Sequence, residues 1–258
     1  MPGTDLSGKV AVITGGGRGI GEATARRFAD AGAAVALCAR GAVEIERVAA
    51  EIRDRGGKAL PIQVDITAER EVERFAEAVV AEFGSVDVLV NNAGGNVRHA
   101  NVPLKETRLE DWRYVMDLNF FGTYLVIRAF LPHINRGGKI INFGSGAGHV
   151  AAANEIGYRA AKAAVSMFTR CLALEVWRDG IEVNELVPGA VATTGLNLGD
   201  DRSSDSTVQR ELLGKSIGDG PEIVRHPDDP AELALWLAAR PEGGPIGQVF
   251  SLQRQPLN

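Results

Sequence analysis

Cysteine is nearly absent: Cys38 and Cys171 are the only two in 258 residues, far apart and without a C-x-x-C spacing. Set within apolar patterns, both read as buried free thiols, which argues against a disulfide framework and a thiolate metal centre. The four histidines, His99, His133, His149 and His226, show no ligand spacing, so no metal is expected. No stretch approaches the roughly 18 uninterrupted apolar residues of a spanning helix. The N-terminal MPGTDLSGKVAVIT lacks a basic region leading into a long apolar run, so the chain reads as soluble and cytoplasmic, with no membrane partner. Basic residues number 28 against 33 acidic ones and are scattered, which disfavours a nucleic-acid partner. Aromatics make up only 6%, which speaks against a large flat substrate held by ring stacking. Internal repeats, Pro-rich linkers and composition breaks are also missing, and 45% hydrophobic content fills one core. A single domain over 1–258 is expected.

What the chain does have is alternation. Short apolar runs at 9–14 (KVAVIT), 33–39 (AAVALCA), 58–65 (KALPIQVD), 86–92 (VDVLVNN), 138–144 (GKIINFG), 181–187 (IEVNELV) and 246–252 (IGQVFSL) alternate with amphipathic stretches. Those stretches, at 20–31, 43–55, 68–83, 109–132, 155–179 and 229–239, have helical length and period. The pattern predicts an α/β, Rossmann-type fold: a doubly wound parallel sheet of about seven strands, with right-handed crossovers and helices on both faces. Between the last two runs lies a long polar, glycine-bearing stretch with no strand pattern, and 193–226 is expected to form a substrate lid.

After the first run comes TGGGRGIG, Thr14 to Gly21, leading straight into a helix. Its glycines follow G-x-x-x-G-x-G rather than G-x-G-x-x-G, but the mechanics are shared: a tight turn brings backbone N–H groups at a helix N-terminus to a pyrophosphate. Gly15, Gly17, Arg18, Gly19, Ile20 and Gly21 are therefore expected at a dinucleotide. Such sites place an acid at the end of the second strand for the ribose 2′-hydroxyl, whereas VALCAR puts Ala39 and Arg40 there. Arg40, with Arg18 nearby, suits a 2′-phosphate, so NADP(H) is expected in preference to NAD(H). Asp65, closing the third run, either accepts from an adenine amino group or caps the helix beginning near Ala68.

YRAAK at 158–162 sets Tyr158 and Lys162 at i and i+4 on one helical face. An ammonium beside a phenol favours the phenolate and pulls its pKa down from about 10. The alternative is that Tyr158 packs a core and Lys162 runs its stem along it to solvent.

TGGGRGIG, NNAG at 91–94, Ser145 ahead of the tyrosine in INFGSGAG, and YRAAK stand in the order and spacing of the short-chain dehydrogenase/reductase family, which the chain resembles over nearly its whole length. The resemblance implies a catalytic group of four. Tyr158 would be the general acid or base, and Lys162 would lower its pKa and bond the nicotinamide ribose. Ser145 would hold the substrate oxygen, and Asn119, in MDLNFFGTY, would bend its helix and hold a water relaying protons to Lys162. Cofactor contacts are implied from Asp65, Ile66, Asn92, Ala93 and Gly94, with Asn91 in the supporting turn. Pro188, Gly189, Val191 and Thr193 of VPGAVAT would meet the nicotinamide half, with Tyr158 and Lys162. The implied enzyme interconverts a secondary alcohol and a ketone by hydride transfer, as a homotetramer acting on a small molecule.

Some positions depart from the family's pattern. Gly144 stands where a second serine is common, Arg159 stands where a small residue usually follows the tyrosine, and the chain ends GQVFSLQRQPLN rather than in an Asp-Gly-Gly-like turn. That ending bears either on the pocket rim and subunit interface or on nothing beyond a neutral tail. Asn96, Val97, His149, Glu155 and Ala190 are candidate pocket residues. Rival readings are a 3-oxoacyl thioester reductase, which calls for a basic patch for its carrier, and a cofactor-binding sensor, which calls for a broken catalytic group. No such patch is evident, and all four catalytic positions are filled.

Overall fold

The computed structural model describes residues 4–95, 102–193, 213–216 and 221–254. Strands apolar on both pleat faces persist only where both faces are covered. The seven runs become β1 (Val10–Thr14), β2 (Ala34–Ala39), β3 (Lys58–Gln63), β4 (Val86–Asn91), β5 (Ile134–Phe143), β6 (Glu182–Val187) and β7 (Val249–Ser251). They form one sheet in the order β3-β2-β1-β4-β5-β6-β7, and every neighbouring pair is parallel. The helices are α1 (Gly19–Asp30), α2 (Ala42–Asp54), α3 (Glu69–Phe83), α4 (Leu109–Met116), α5 (Gly122–Phe130), α6 (Ile156–Val176) and α7 (Asp228–Ala238).

Successive strand residues point to opposite faces, and the core divides accordingly. Ile13, Leu37, Val90 and Ile141 meet Phe28 of α1, Ile45 and Ile52 of α2 and Leu235 of α7. Val12, Ala36, Leu89, Ile140 and Val183 meet Phe75 of α3, Phe130 of α5 and Val176 of α6. Phe75 and Phe130 touch edge to face at 5.2 Å. Burial of each such side chain contributes about 1.5–3 kcal/mol. Strand order reverses beside β1, which pairs with β2 on one edge and β4 on the other, and a crevice opens at the C-terminal ends of the strands.

Three expectations are corrected. The single helix expected over 109–132 is interrupted by a π turn at Asp117–Phe121. The Asn119 amide causes it by entering the ladder: Nδ2 donates to Val115 O at 2.9 Å and to Gly95 O at 2.7 Å, and Oδ1 accepts from Gly95 N at 2.9 Å. β5 starts at Ile134, ahead of the expected 138, with a register shift opposite Val86/Val88. There Asp87 accepts from Val10 N, Lys9 Nζ and Asn135 Nδ2, tying three strands together. Cys38 is buried as expected, but Cys171 is exposed. The apolar pattern of α6 runs on two faces, and Cys171 belongs to the outward one with exposed Met167 and Leu174.

The lid expected over 193–226 lies mostly outside the described residues. Within its described parts, Val191 bridges Arg225 and Ser216 bridges Ile223. Among the described residues no helix is long and apolar enough to cross a membrane.

Candidate active site

The glycine turn and the NNAG turn are built against each other. Thr14 ends β1 with its Oγ1 accepting from Asn92 N at 3.1 Å and Ala93 N at 3.0 Å, while Asn92 Nδ2 donates to Thr14 O at 3.0 Å. Gly15 takes φ 68°, and a Cβ on it would fall 2.8 Å from Asn92 Nδ2, so only glycine lets the turns approach this closely. Gly21 packs α1 onto the turn, where a Cβ would lie 2.2 Å from Gly15 O. Asn91 Nδ2 donates to Asn142 Oδ1 and Asn142 Nδ2 to Thr169 Oγ1, locking β4, β5 and α6 behind the site.

A cleft of about 750 Å³ opens here. It is lined by Gly15, Gly17, Arg18, Gly19, Ile20, Arg40, Asp65, Ile66, Asn92, Ala93, Gly94, Ser145, Tyr158, Lys162, Pro188, Gly189, Val191 and Thr193, so eighteen of the twenty positions expected in catalysis or direct cofactor contact converge. Gly21 and Asn119 are the two others, buried behind the lining. Asn119 supports Gly94, where a Cβ would lie 2.8 Å from its Oδ1 and 3.4 Å from Lys162 Nζ.

Ser145 leaves β5 in extended conformation and caps a short 3-10 turn, Gly146–Gly148, with its Oγ accepting from Ala147 N at 3.2 Å. Part of Tyr158 still faces the cleft, yet the surrounding protein is dense enough to push its phenol above the ordinary value. The hydrogen bond with Ser145 and the charge of Arg159 work against that rise. Lys162 is 5% exposed. Burial brings it down from 10.5 to about 8, and Glu185 opposes that fall. Its Nζ donates to Phe143 O at 2.9 Å and lies 5.9 Å from the Tyr158 ring centroid. The expectation that Lys162 pulls the phenol down is corrected: burial dominates at Tyr158, and the ammonium is bonded to a strand carbonyl.

At the other end of the cleft Arg40 Nη1 donates to the hydroxyl of Tyr114 on α4 at 2.6 Å. An acid is present after all: Glu44, in the first turn of α2, lines the cleft and folds back so that a Cβ on Gly41 would meet its carboxylate at 2.1 Å. It stands not at the strand end but in the first helical turn, where a glutamate three residues after an N-cap commonly reaches backward. Asp65 lines the cleft and bonds Thr67 N and Oγ1 through Oδ1, making a turn ahead of α3. It does not cap the helix, whose N-cap is Ala68.

Of the candidate pocket residues, Glu155 and Ala190 line the cleft. Arg159 joins them, with Nη2 on Glu155 Oε2 at 2.7 Å and Nη1 on Val150 O, an i,i+4 pairing legible in the sequence. His149 turns away and packs its ring on Glu185. Asn96 and Val97 lie outside the described residues. The described end of the chain rests on its own active-site loops: Leu252 N donates to Val187 O, and Gln253 fills the space beside Gly146.

The cradle fits a dinucleotide. No side chain caps α1, whose first N–H groups are left for an anion behind a turn too tight for any Cβ at Gly15.

The family model of short chain dehydrogenases matches residues 9–202. Cis-4-hydroxycyclohexanecarboxylate dehydrogenase of Sinomonas cyclohexanicum is 35% identical over 249 residues, covering 95% of this chain and 94% of that protein. The 3-oxoacyl-[acyl-carrier-protein] reductase of a Synechocystis species is 38% identical over 253 residues, covering 96% and 97%. A solved short chain dehydrogenase from Burkholderia cenocepacia in complex with NADP matches with TM-score 0.80 at 31% identity, covering 96% of this chain and 97% of that one.

Proposed function

Because the chain belongs to the short-chain dehydrogenase/reductase family, oxidoreductases acting on CH–OH groups with a nicotinamide cofactor, we propose that it interconverts a ketone and a secondary alcohol with NADP(H), using Tyr158 as acid and base. The observation carrying this reading is the convergence of Ser145, Tyr158 and Lys162 on one cleft, with the phenol raised by burial.

The glycine turn, Asp65, the NNAG turn and the loop from Pro188 to Thr193 would hold the cofactor, which when bound supplies or accepts the hydride. Tyr158 with a raised pKa is a neutral phenol near pH 7, so it is poised to give its proton to a carbonyl oxygen. Ser145 holds that oxygen and stabilises charge developing on it. Lys162 secures the cofactor side of the site. In oxidation Tyr158 takes the proton instead, and burial makes that the harder direction.

NADP(H) preference rests on Arg18 and Arg40 at the cleft, opposed by the carboxylate of Glu44. Two guanidiniums against one acid favour a 2′-phosphate. Two relatives of similar identity are named for different substrates, a cyclic hydroxy acid and an acyl thioester, so family membership leaves the substrate to the pocket itself.

Assembly as a homotetramer belongs to the same reading. Exposed Phe121 and Tyr124 on the π turn and α5 adjoin exposed Met167 and Leu174 on α6, through ring contacts of Phe168 with Phe120 and Tyr124. Exposed apolar side chains of this kind are what a subunit contact covers.

The deciding experiment is fluorescence titration with NADPH and NADH, followed by cofactor absorbance with a carbonyl panel that includes a 3-oxoacyl thioester. NADPH binding with turnover of any ketone supports the proposal. Binding without turnover across the panel would turn the protein into a sensor, and binding of neither cofactor would end the reading.

A further inference from the structure

Behind the catalytic residues lies an ion pair that the mechanism above does not use. Glu185 sits inside β6, opposite Asn142 of β5 and Val249 of β7, with its side chain 1% exposed. By strand alternation it shares the face of Val183, the face covered by α6. His149 Nε2 lies 2.9 Å from Glu185 Oε1, its own side chain 8% exposed. A carboxylate can only accept, so Nε2 carries the proton in that bond. Glu185 Oε2 is buried and has no hydrogen-bond partner.

Two close approaches show that the pair is built into the site. A Cβ on Gly144 would fall 1.8 Å from Glu185 Oε1, so the residue before Ser145 has room for no side chain while this carboxylate is there. A Cβ on Gly148 would fall 2.7 Å from the carbonyl carbon of Lys162, so the loop lies directly on the α6 backbone at that lysine. The Ser145–His149 loop is thus held between α6 at Lys162 and β6 at Glu185. Its first residue touches Tyr158, and its last is fastened to the carboxylate.

We propose that His149 and Glu185 are a buried positioning pair for the reaction, pinning the loop that carries Ser145 against β6 and presenting a carboxylate to the Lys162 ammonium. The inference rests on the proposed roles of Ser145, Tyr158 and Lys162. The groups facing Glu185 are His149 from the loop, Lys162 from α6, with Tyr158 one turn before it, neutral Asn142 from β5 and Val249 from β7. Among them Lys162 carries a positive charge, and Glu185 acts on it at longer range, counteracting burial there.

The test uses the full chain with NADPH and a ketone that the wild type turns over. Glu185→Gln keeps the shape and removes the charge. It should lower kcat by about tenfold and move the alkaline limb of the rate profile to lower pH by roughly one unit. His149→Leu removes the donor and should lower kcat, while His149→Gln returns an N–H and should restore most of it. Wild-type kcat and an unmoved limb in folded Glu185→Gln would overturn the proposal. Should that variant fail to fold, equal kcat in His149→Leu and His149→Gln would overturn it instead. Tyr158→Phe runs alongside: turnover retained there defeats the proposed function itself, whereas turnover lost there and intact in the pair variants defeats only this inference.

Discussion

Lys162 holds its proton less firmly than a lysine in water, because burial outweighs the help of Glu185. Its ammonium therefore predominates below about 8 and is lost as pH rises through that value. Reduction should follow: kcat/KM for the ketone is expected to stay level toward neutral pH and to fall on the alkaline side near pH 8. A single limb well above that would assign the loss to the raised phenol of Tyr158. Tyr158→Phe keeps the ring and removes the proton, and turnover should drop by about 10²–10⁴-fold while NADPH titration is unaffected. Arg40→Asp replaces a phosphate partner with a ribose partner and should swing the NADPH/NADH ratio of kcat/KM by roughly 10- to 100-fold. An unchanged ratio would mean that the bond to Tyr114 is the only task of Arg40. Spacing made Tyr158, Lys162 and Ser145 legible in the chain, because helical period and motif order are properties of sequence. Glu185 and Glu44 were not legible. An acid within IEVNELV looks like an interruption of the strand until His149, distant in sequence, is brought to it, and Glu44 enters the cleft only by folding back over Gly41.

Among elements, β5 and β6 are bound by more than their ladder. Lys139 and Glu182, 5% and 6% exposed, meet at 2.8 Å, and Glu182 also accepts from Gly244 N. Lys139→Met strands the carboxylate and should cost about 3–5 kcal/mol in a denaturant titration, whereas Lys139→Met combined with Glu182→Leu should recover most of it. Loss of the same size in both would show that the lysine stem, not its charge, carries the contribution. The strands and helices were readable from period and punctuation, since a parallel sheet covered on both faces writes its pattern directly into the chain. What escaped was set by single side chains acting across elements. The π turn needs Asn119 to find the backbone of Gly95, the early start of β5 needs Asp87 to collect donors from β1 and from Asn135, and no window of local sequence contains either pair.

For the whole molecule, the apolar face of α5 and α6 carries the expectation of assembly. Leu174→Glu places a charge where it is 70% exposed in the monomer and should leave the fold intact while shifting light-scattering mass from the oligomer to smaller species. An unchanged mass would remove this face as a subunit contact. Strand order has a different kind of consequence, one that concerns how the chain is made. β1, β2 and β3 are contiguous in sequence and can pair as soon as they are synthesised, but β1 ends up in the middle of the sheet with Ala11 beside Val88. Until β4 arrives, one edge of β1 is an open row of donors and acceptors, the kind of edge on which neighbouring chains aggregate. The nucleotide cannot guard that edge, because half of its cradle, from Asn92 to Thr193, does not yet exist. Ligand can therefore reward this fold only after the hazardous step is over, and the early half must protect itself.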